Sequence, residues 1–398
     1  MKKTLLATSV ALALIAPAMA FEAVSTDPTA TMSSEIANIQ NRCIVRLNDN
    51  LASYEVNSHA QGLLNRANAM TQSLNSGSSI TVKLAEIQHV YAHSIKGFTL
   101  SMPCSAAEKA FGDDANVKSF SPDSIVSISK GKPGGGGGGS ASQTTPWSVT
   151  RVGGPLNGAG HTAWIIDTGV DLTNADLNVD TSRGFSAFTR GRNAGMNDLN
   201  GHGTHVSGTI AAKDNSIDVV GIAAGATVVP VKVLDARGSG SNSGVIAGVD
   251  WVAAHASPGD CANMSLGGGV SQALDDAVKA AAQSSGAYFT LAAGNEGGDA
   301  NDHSPARANG NNIATISAVD VNDNMPSWSN WGNPPVDYAA PGVSILSLKP
   351  GGGTTTMSGT SMASPAACAV RMMTNDRAST SGTAGNDPDG NPDPIIHL

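Results

Sequence analysis

The chain has 398 residues, 40% of them hydrophobic and 4% aromatic, with 46 glycines and a formal net charge of −9. Such a length holds a large α/β domain and a smaller one, and such a composition supports a core of small side chains and many tight turns. From Ser140 onward 12 Lys+Arg stand against 22 Asp+Glu, which excludes tracking of nucleic-acid phosphates or anionic lipid and suits solubility and bound cations.

Met1-Lys2-Lys3, an apolar run from Leu5 to Ala16 and Ala18-Met19-Ala20 have the order of a secretory signal peptide, residues 1–20. The run is too short to cross a membrane and stay there, and no other run comes near the roughly 20 apolar residues a span needs. The expectation is a secreted protein, extracellular or periplasmic. Four cysteines then face an oxidising compartment. Cys43 and Cys104 lie in the N-terminal part, Cys261 and Cys368 in the C-terminal part; one bridge per part is possible, free thiols are equally open, and spacing alone does not choose a pairing.

Residues 21 to about 40 are polar and aperiodic, with disorder as the default. Cys43–Leu47, Ile87–Tyr91 and Gly97–Met102 read as strands, Ala60–Leu74 and Ser105–Phe111 as helices, and Val117–Ser129 closes a β-α-β-β-α-β order. Gly134–Gly139 cannot hold a regular element, so 134–142 is a linker. From 143 to 398, runs rich in Val and Ile (Thr162–Ile166, Thr227–Val233, Ala262–Leu266, Tyr288–Ala292, Ile313–Val319) alternate with helix-like runs at His202–Ala212, Ser243–Ala254, Gln272–Gln283 and Ala363–Met373. Continuous apolar strands separated by helices give an α/β class with a mostly parallel sheet covered on both faces, and place reactive residues at the strands' carboxyl ends.

Gly359-Thr360-Ser361-Met362-Ala363 sets a serine between small residues at the start of a helix. A serine hydroxyl needs a histidine to take its proton and a carboxylate to orient that histidine. Asp167, directly after Ile166, and His202, in Asn200-Gly201-His202-Gly203-Thr204-His205, are the candidates. A metal pair of His202 with His205 is disfavoured, because the spacing is not that of zinc peptidases and no glutamate is adjacent. The serine lacks the final glycine of a G-x-S-x-G elbow, which argues against an α/β-hydrolase esterase.

With Ala292-Ala293-Gly294-Asn295, these stretches resemble the subtilisin-like serine peptidases and their secreted proteinase K-like branch, from about Gln143 to Cys368. Residues 21–133, with a folded part at about 42–129, are similar to that family's inhibitory propeptide. The resemblance implies a subtilisin-like three-layer domain behind a small ferredoxin-like propeptide. It also implies a self-processed serine endopeptidase that acts as a monomer on extended peptides and is inhibited by its own propeptide. Asp167, His202 and Ser361 would be catalytic and Asn295 an oxyanion donor. Ser265, Leu266, Gly267 and Gly268, with Ala292, Ala293 and Gly294, would bind substrate. Asp337 would hold structural calcium with Asn311 and Ile313, and no catalytic cofactor is implied. A large apolar residue is expected before the cut. The other reading is a catalytically weak module of the same fold that binds extended peptides. Ala366-Ala367-Cys368-Ala369 departs from the family's usual continuation after the serine, and Arg371–Leu398 reads as a polar, loosely packed end with an acidic tail at Asp387–Asp393.

Overall fold

The small N-terminal domain follows from the alternation of its strands. The structure is a computed structural model describing residues 36–76, 81–128 and 142–398; the signal-peptide segment and the Gly134–Gly139 run lie outside the described residues. β1 (Cys43–Leu47), α1 (Ser53–Ser76), β2 (Ile87–Tyr91), β3 (Gly97–Leu100), α2 (Cys104–Phe111) and β4 (Val117–Pro122) come in that order, in an antiparallel sheet arranged β2-β3-β1-β4. Along β1, Cys43, Val45 and Leu47 face the two helices and pack with Leu63, Phe98 and Phe111. Ile44 points to the other face. There it joins Tyr91 in a second core with Val245, Val249 and Val278 of the large domain. A disulfide joins Cys43 to Cys104.

After Pro122 the chain leaves this sheet, and β5 (Ile125–Ser127) pairs with strands of the large domain instead. Sequence alone treats Val117–Ser129 as one closing segment; Pro122 ends it early, since proline offers no N–H to continue the ladder.

The large domain is a parallel sheet between two helical layers. Its path is β6 (Thr162–Asp167), α3 (His202–Ala211), β7 (Thr227–Lys232), β8 (Ser239–Ser241), α4 (Asn242–His255), β9 (Cys261–Met264), β10 (Gly267–Gly269), α5 (Gln272–Ser285), β11 (Tyr288–Ala292), β12 (Ile313–Val319), β13 (Val336–Pro341), β14 (Ile345–Leu348), β15 (Thr354–Met357), α6 (Thr360–Thr374), β16 (Ser379–Thr383) and β17 (Pro394–His397). The central sheet runs β16-β17-β13-β12-β11-β9-β6-β7, and the short segments Asn178–Val179 and Phe185–Ser186 pair with β7 on its far side. Every residue of β6 is buried, because Ala163 and Ile165 enter the core beneath α3 and α6 while Trp164 and Ile166 enter the core beneath α4 and α5. That two-sided burial is why the strand reads as an unbroken apolar run. The strand order reverses around β6, so Asp167 exits where a crevice opens at the sheet's carboxyl edge.

A second disulfide, Cys261 to Cys368, ties β9 to α6. Cys368 sits in the stretch that departs from the family pattern, so that helix position carries a cross-link. The bridge spans 107 residues, and closing a loop of that length restricts the unfolded chain by about 4–5 kcal/mol in the chain-entropy model.

The C-terminal end differs from its expectation as a loose polar tail. β17 joins the sheet parallel to β13, with Ala339 opposite Ile395, and Asp393 is buried and accepts a hydrogen bond from Ser317. Ile395 and Ile396 are buried, as is Ala384, and they anchor a segment rich in polar residues. β16 forms the outer edge, exposed along its whole length, with a register break between Thr380 and Thr383 and Gly382 at φ 81°. Arg151 donates to its Ser381 carbonyl at 2.6 Å.

Candidate active site

Asp167 is fully buried at the end of β6. The His202 Nδ1–H faces both of its carboxylate oxygens, at 2.8 and 2.9 Å, and Thr168 N–H donates to Oδ1 at 2.6 Å. With Nδ1–H so committed, Nε2 is the basic nitrogen of His202, and it has no hydrogen-bond partner. His202 opens α3 after Gly201, whose φ of 109° favours glycine. Gly203 comes so close to the strand exit that a Cβ there would stand 2.0 Å from the Gly169 carbonyl oxygen, which is the steric reason for the His-Gly pair. Asp198 fixes the helix start, accepting from Gly201 N–H, Thr204 N–H and the Thr204 hydroxyl. Burial pulls the His202 pKa down, but the Asp167 carboxylate and then Asp198 hold it above the usual 6.5. His205 is a different case: its Nε2 lies 3.0 Å from the Ile345 carbonyl, and burial lowers its pKa to about 3, so it packs as a neutral side chain.

Ser361 is the second residue of α6 and is 1% exposed. Its hydroxyl donates to the Ser265 carbonyl at 3.1 Å, and the Ser265 hydroxyl returns a bond to the Ser361 carbonyl at 2.8 Å. Ser265 follows β9, which pairs with β6, so Ser361 rests against the carboxyl end of the strand next to the one that carries Asp167. Asn295 approaches the same helix start. Thr360 N–H and its hydroxyl both donate to Asn295 Oδ1 at 2.9 Å, which fixes the oxygen end of the amide and makes the nitrogen end the donor. The N-terminus of α6 adds a favourable dipole for negative charge near Ser361.

A groove leads to this point. β5 lies between β8 and β10, with Ser127 opposite both Ser239 and Gly267, and Ile128 N–H continues the pairing by donating to the Gly238 carbonyl at 2.9 Å. Gly267 and Gly268 are therefore main-chain partners of an extended segment. The opposite wall, Gly238–Ser241, was missed by sequence reasoning, because four small polar residues carry no apolar period; their alternation of Gly and Ser beside an apolar strand was the available signal. Ala292, Ala293 and Gly294 face Gly267–Gly269 across a cleft of ≈ 350 Å³ whose lining also includes Glu296 and His303, 3.7 Å apart. Leu266 is wholly buried in the core rather than in this cleft.

The small domain is seated by reciprocal caps. Asp123 accepts from the Ser243 N–H at 3.0 Å and the Ser243 hydroxyl at 2.6 Å, at the start of α4. Asp250, further along α4, accepts from the N–H groups of Ala92, His93 and Ser94. Arg46 pairs with Asp276 of α5.

For a cation, no three acidic, histidine or cysteine side chains gather at one point among the described residues, so a bound ion would rest on amide and backbone oxygens around one or two carboxylates, as calcium often does. Asp337 accepts from Thr315 N–H at 2.9 Å, two residues beyond Ile313, and burial raises its pKa. A second place was not legible in sequence. Asp176 is fully buried with Oδ2 lacking any partner, its Oδ1 accepts from Asn215 at 2.6 Å, and burial, with Asp218 adding to it, raises its pKa to about 6.

This geometry, a buried Asp–His pair and a helix-start serine at the end of a parallel sheet, is that of a serine-nucleophile hydrolase class. The chain belongs to the subtilase family, whose model matches residues 158–378. It is 41% identical over 293 residues to Alkaline serine exoprotease A of Vibrio alginolyticus, covering 70% of this chain and 52% of that protein. It is 34% identical over 344 residues to Subtilisin-like protease 1 of Trichophyton verrucosum, covering 82% and 80%. The crystal structure of a cold adapted subtilisin-like serine proteinase matches with TM-score 0.56 and 38% identity, over 63% of this chain and 97% of that one. The chain spans about half the length of several curated relatives it matches.

Proposed function

We propose that this chain is a secreted serine endopeptidase that hydrolyses peptide bonds through an acyl-enzyme on Ser361 and is made as a precursor that cuts itself. The observation that carries the reading is β5: the chain's own extended segment occupies the groove beside Ser361 by main-chain pairing, the way a peptide substrate binds with little sequence demand. In the reaction His202 Nε2 takes the Ser361 proton as the hydroxyl attacks the scissile carbonyl, and Asp167 holds the Nδ1–H tautomer and stabilises the imidazolium. The Asn295 amide and the Ser361 backbone N–H stabilise the oxyanion. His202 then gives its proton to the leaving amine, and water repeats the sequence to free the acid. Residues 21–133 act as the propeptide and inhibitor, 134–142 as the linker, 143–398 as the enzyme.

A second reading, a peptide-binding module of weak activity, is favoured by one contact: the Ser361 hydroxyl rests on Ser265 rather than on His202. A fluorophosphonate probe separates the two, because only an activated serine reacts. Labelling of the mature protein is expected, and folded mature protein that stays unlabelled would establish the binding module.

Structural calcium would be held by Asp337 with the carbonyls of Asn311 and Ile313, and by the unpartnered Asp176 Oδ2 with Asp218, while the Asn215 NH₂ orients the Asp176 carboxylate. Without the ion, Asp176 has a folded pKa of about 6, above its unfolded value. Its stabilisation is then fully present below the unfolded pKa and is lost as pH rises through about 6. A cation replaces the proton and adds stability by mass action. The melting-temperature gap between calcium-loaded and chelated enzyme should accordingly be wide at about pH 8 and narrow at about pH 5. Equal melts at both pH values would remove the metal.

A further inference from the structure

One buried cation lies beside the Asp167 carboxylate and takes no part in the proton transfers. Lys232 ends β7, directly opposite Asp167 in the parallel register, and is 0% exposed. A lysine at full burial requires satisfied donors. Its Nζ donates to the Thr168 carbonyl and to the Leu234 carbonyl, the latter at 3.0 Å, and the Phe188 ring centroid lies 5.8 Å away. In return Val233 and Leu234 N–H both donate to the Asp167 carbonyl, at 2.9 and 3.1 Å. The exits of β6 and β7 are thus stitched in both directions, with the ammonium making the stitch on the side chain's own strand end.

We propose that Lys232 is a positioning residue for Asp167: it locks the backbone on either side of the carboxylate so that both oxygens face His202 Nδ1, and its charge offsets the two buried carboxylates Asp167 and Asp198. The proposal rests on the serine endopeptidase reading.

The charge balance has a direction. His202 is faced by Asp167 from β6, by Asp198 from the loop before α3 and by the neutral His205 on α3 itself; Lys232 enters the same cluster from β7. Asp235, the third carboxylate near the ammonium, is paired with Arg237 at 2.8 Å, so Asp167 and Asp198 against one ammonium leave one net negative charge, which the imidazolium cancels when His202 takes the serine proton. Burial lowers the Lys232 pKa, while Asp198, Asp167 and Asp235 favour its charged form. Without the ammonium the cluster carries two negative charges, and His202 holds its proton to higher pH. More of the enzyme is then in the form that cannot act as base.

The test uses the self-processed enzyme and its Lys232→Met, Lys232→Gln and Lys232→Arg variants, with kcat and KM for a chromogenic peptide followed across pH and the His202 titration followed by NMR. In Lys232→Met the acid limb of kcat/KM and the His202 midpoint should both rise by about one pH unit, and kcat should fall about tenfold with KM nearly unchanged. Lys232→Arg, which keeps the charge, should return the acid limb towards wild type. If Lys232→Met does not fold, Lys232→Gln carries the same comparison, since it is neutral but still offers a donor. A folded neutral variant with an unmoved limb and an unmoved His202 midpoint overturns the proposal. Failure of the wild-type enzyme to turn over or to label would instead overturn the peptidase reading, and the NMR midpoint would still decide the role of Lys232.

Discussion

Ser361→Ala should leave the precursor uncut, accumulating at the mass of residues 21–398 in a host without proteases that reach the linker. Removing the nucleophile of a serine protease costs about 10⁶ in turnover, which converts a maturation of seconds or minutes into one longer than any expression experiment. The cut is expected between about Lys130 and Thr144, in the linker or just after it. A peptide paired with Gly267 and Gly268 as β5 is runs towards Ser265, the residue that holds the Ser361 hydroxyl. Mass spectrometry of the wild-type and mutant products measures both the site and the dependence. Processing of Ser361→Ala at the same bond and rate would show that an outside protease does the work.

Asp167→Asn is expected to lower kcat by about 10⁴, through the wrong histidine tautomer. Thr168 N–H needs an acceptor at Oδ1, so the asparagine oxygen stays with Thr168 and its NH₂ is turned towards His202. The imidazole must then accept at Nδ1 and carry its proton on Nε2, where the serine needs a base. The fold should survive, because the replaced group has the same shape and both of its partners, Thr168 N–H and the His202 ring, still find a hydrogen bond. Unchanged melting with the loss in kcat is the expected pair of results, and a loss below about tenfold would remove Asp167 from the mechanism.

The parts of the molecule that were legible in sequence are those with burial on both sides. Thr162–Asp167 had to be apolar along its length because α3, α6, α4 and α5 cover its two faces, and the motif residues stand at the ends of such runs. Gly238–Ser241 and Ser379–Thr383 are strands held by main-chain pairing with few side chains in a core, so they leave no period to read. The Asp176 cluster was hidden for another reason: Asn215 lies 39 residues away in sequence, and only the fold closes that distance. β5 was read as part of the small domain because Ile125, Val126 and Ile128 are apolar; nothing local says which sheet they join. Leu266 was grouped with its substrate-binding neighbours by motif, whereas alternation along the strand turns it into the core.

The outer strand Ser379–Thr383 acquires a further meaning from the groove that β5 occupies. A peptidase of the proposed kind, capturing extended chains by main-chain pairing, works among freshly cut peptides, each a free strand in search of an edge. Its own sheet ends in such an edge, and there the broken register, the left-handed Gly382 and the Arg151 guanidinium on the Ser381 carbonyl spoil the ladder that an incoming strand would need. The edge at Ser379–Thr383 is thereby a poor template for an incoming strand, unlike the strands on either side of β5.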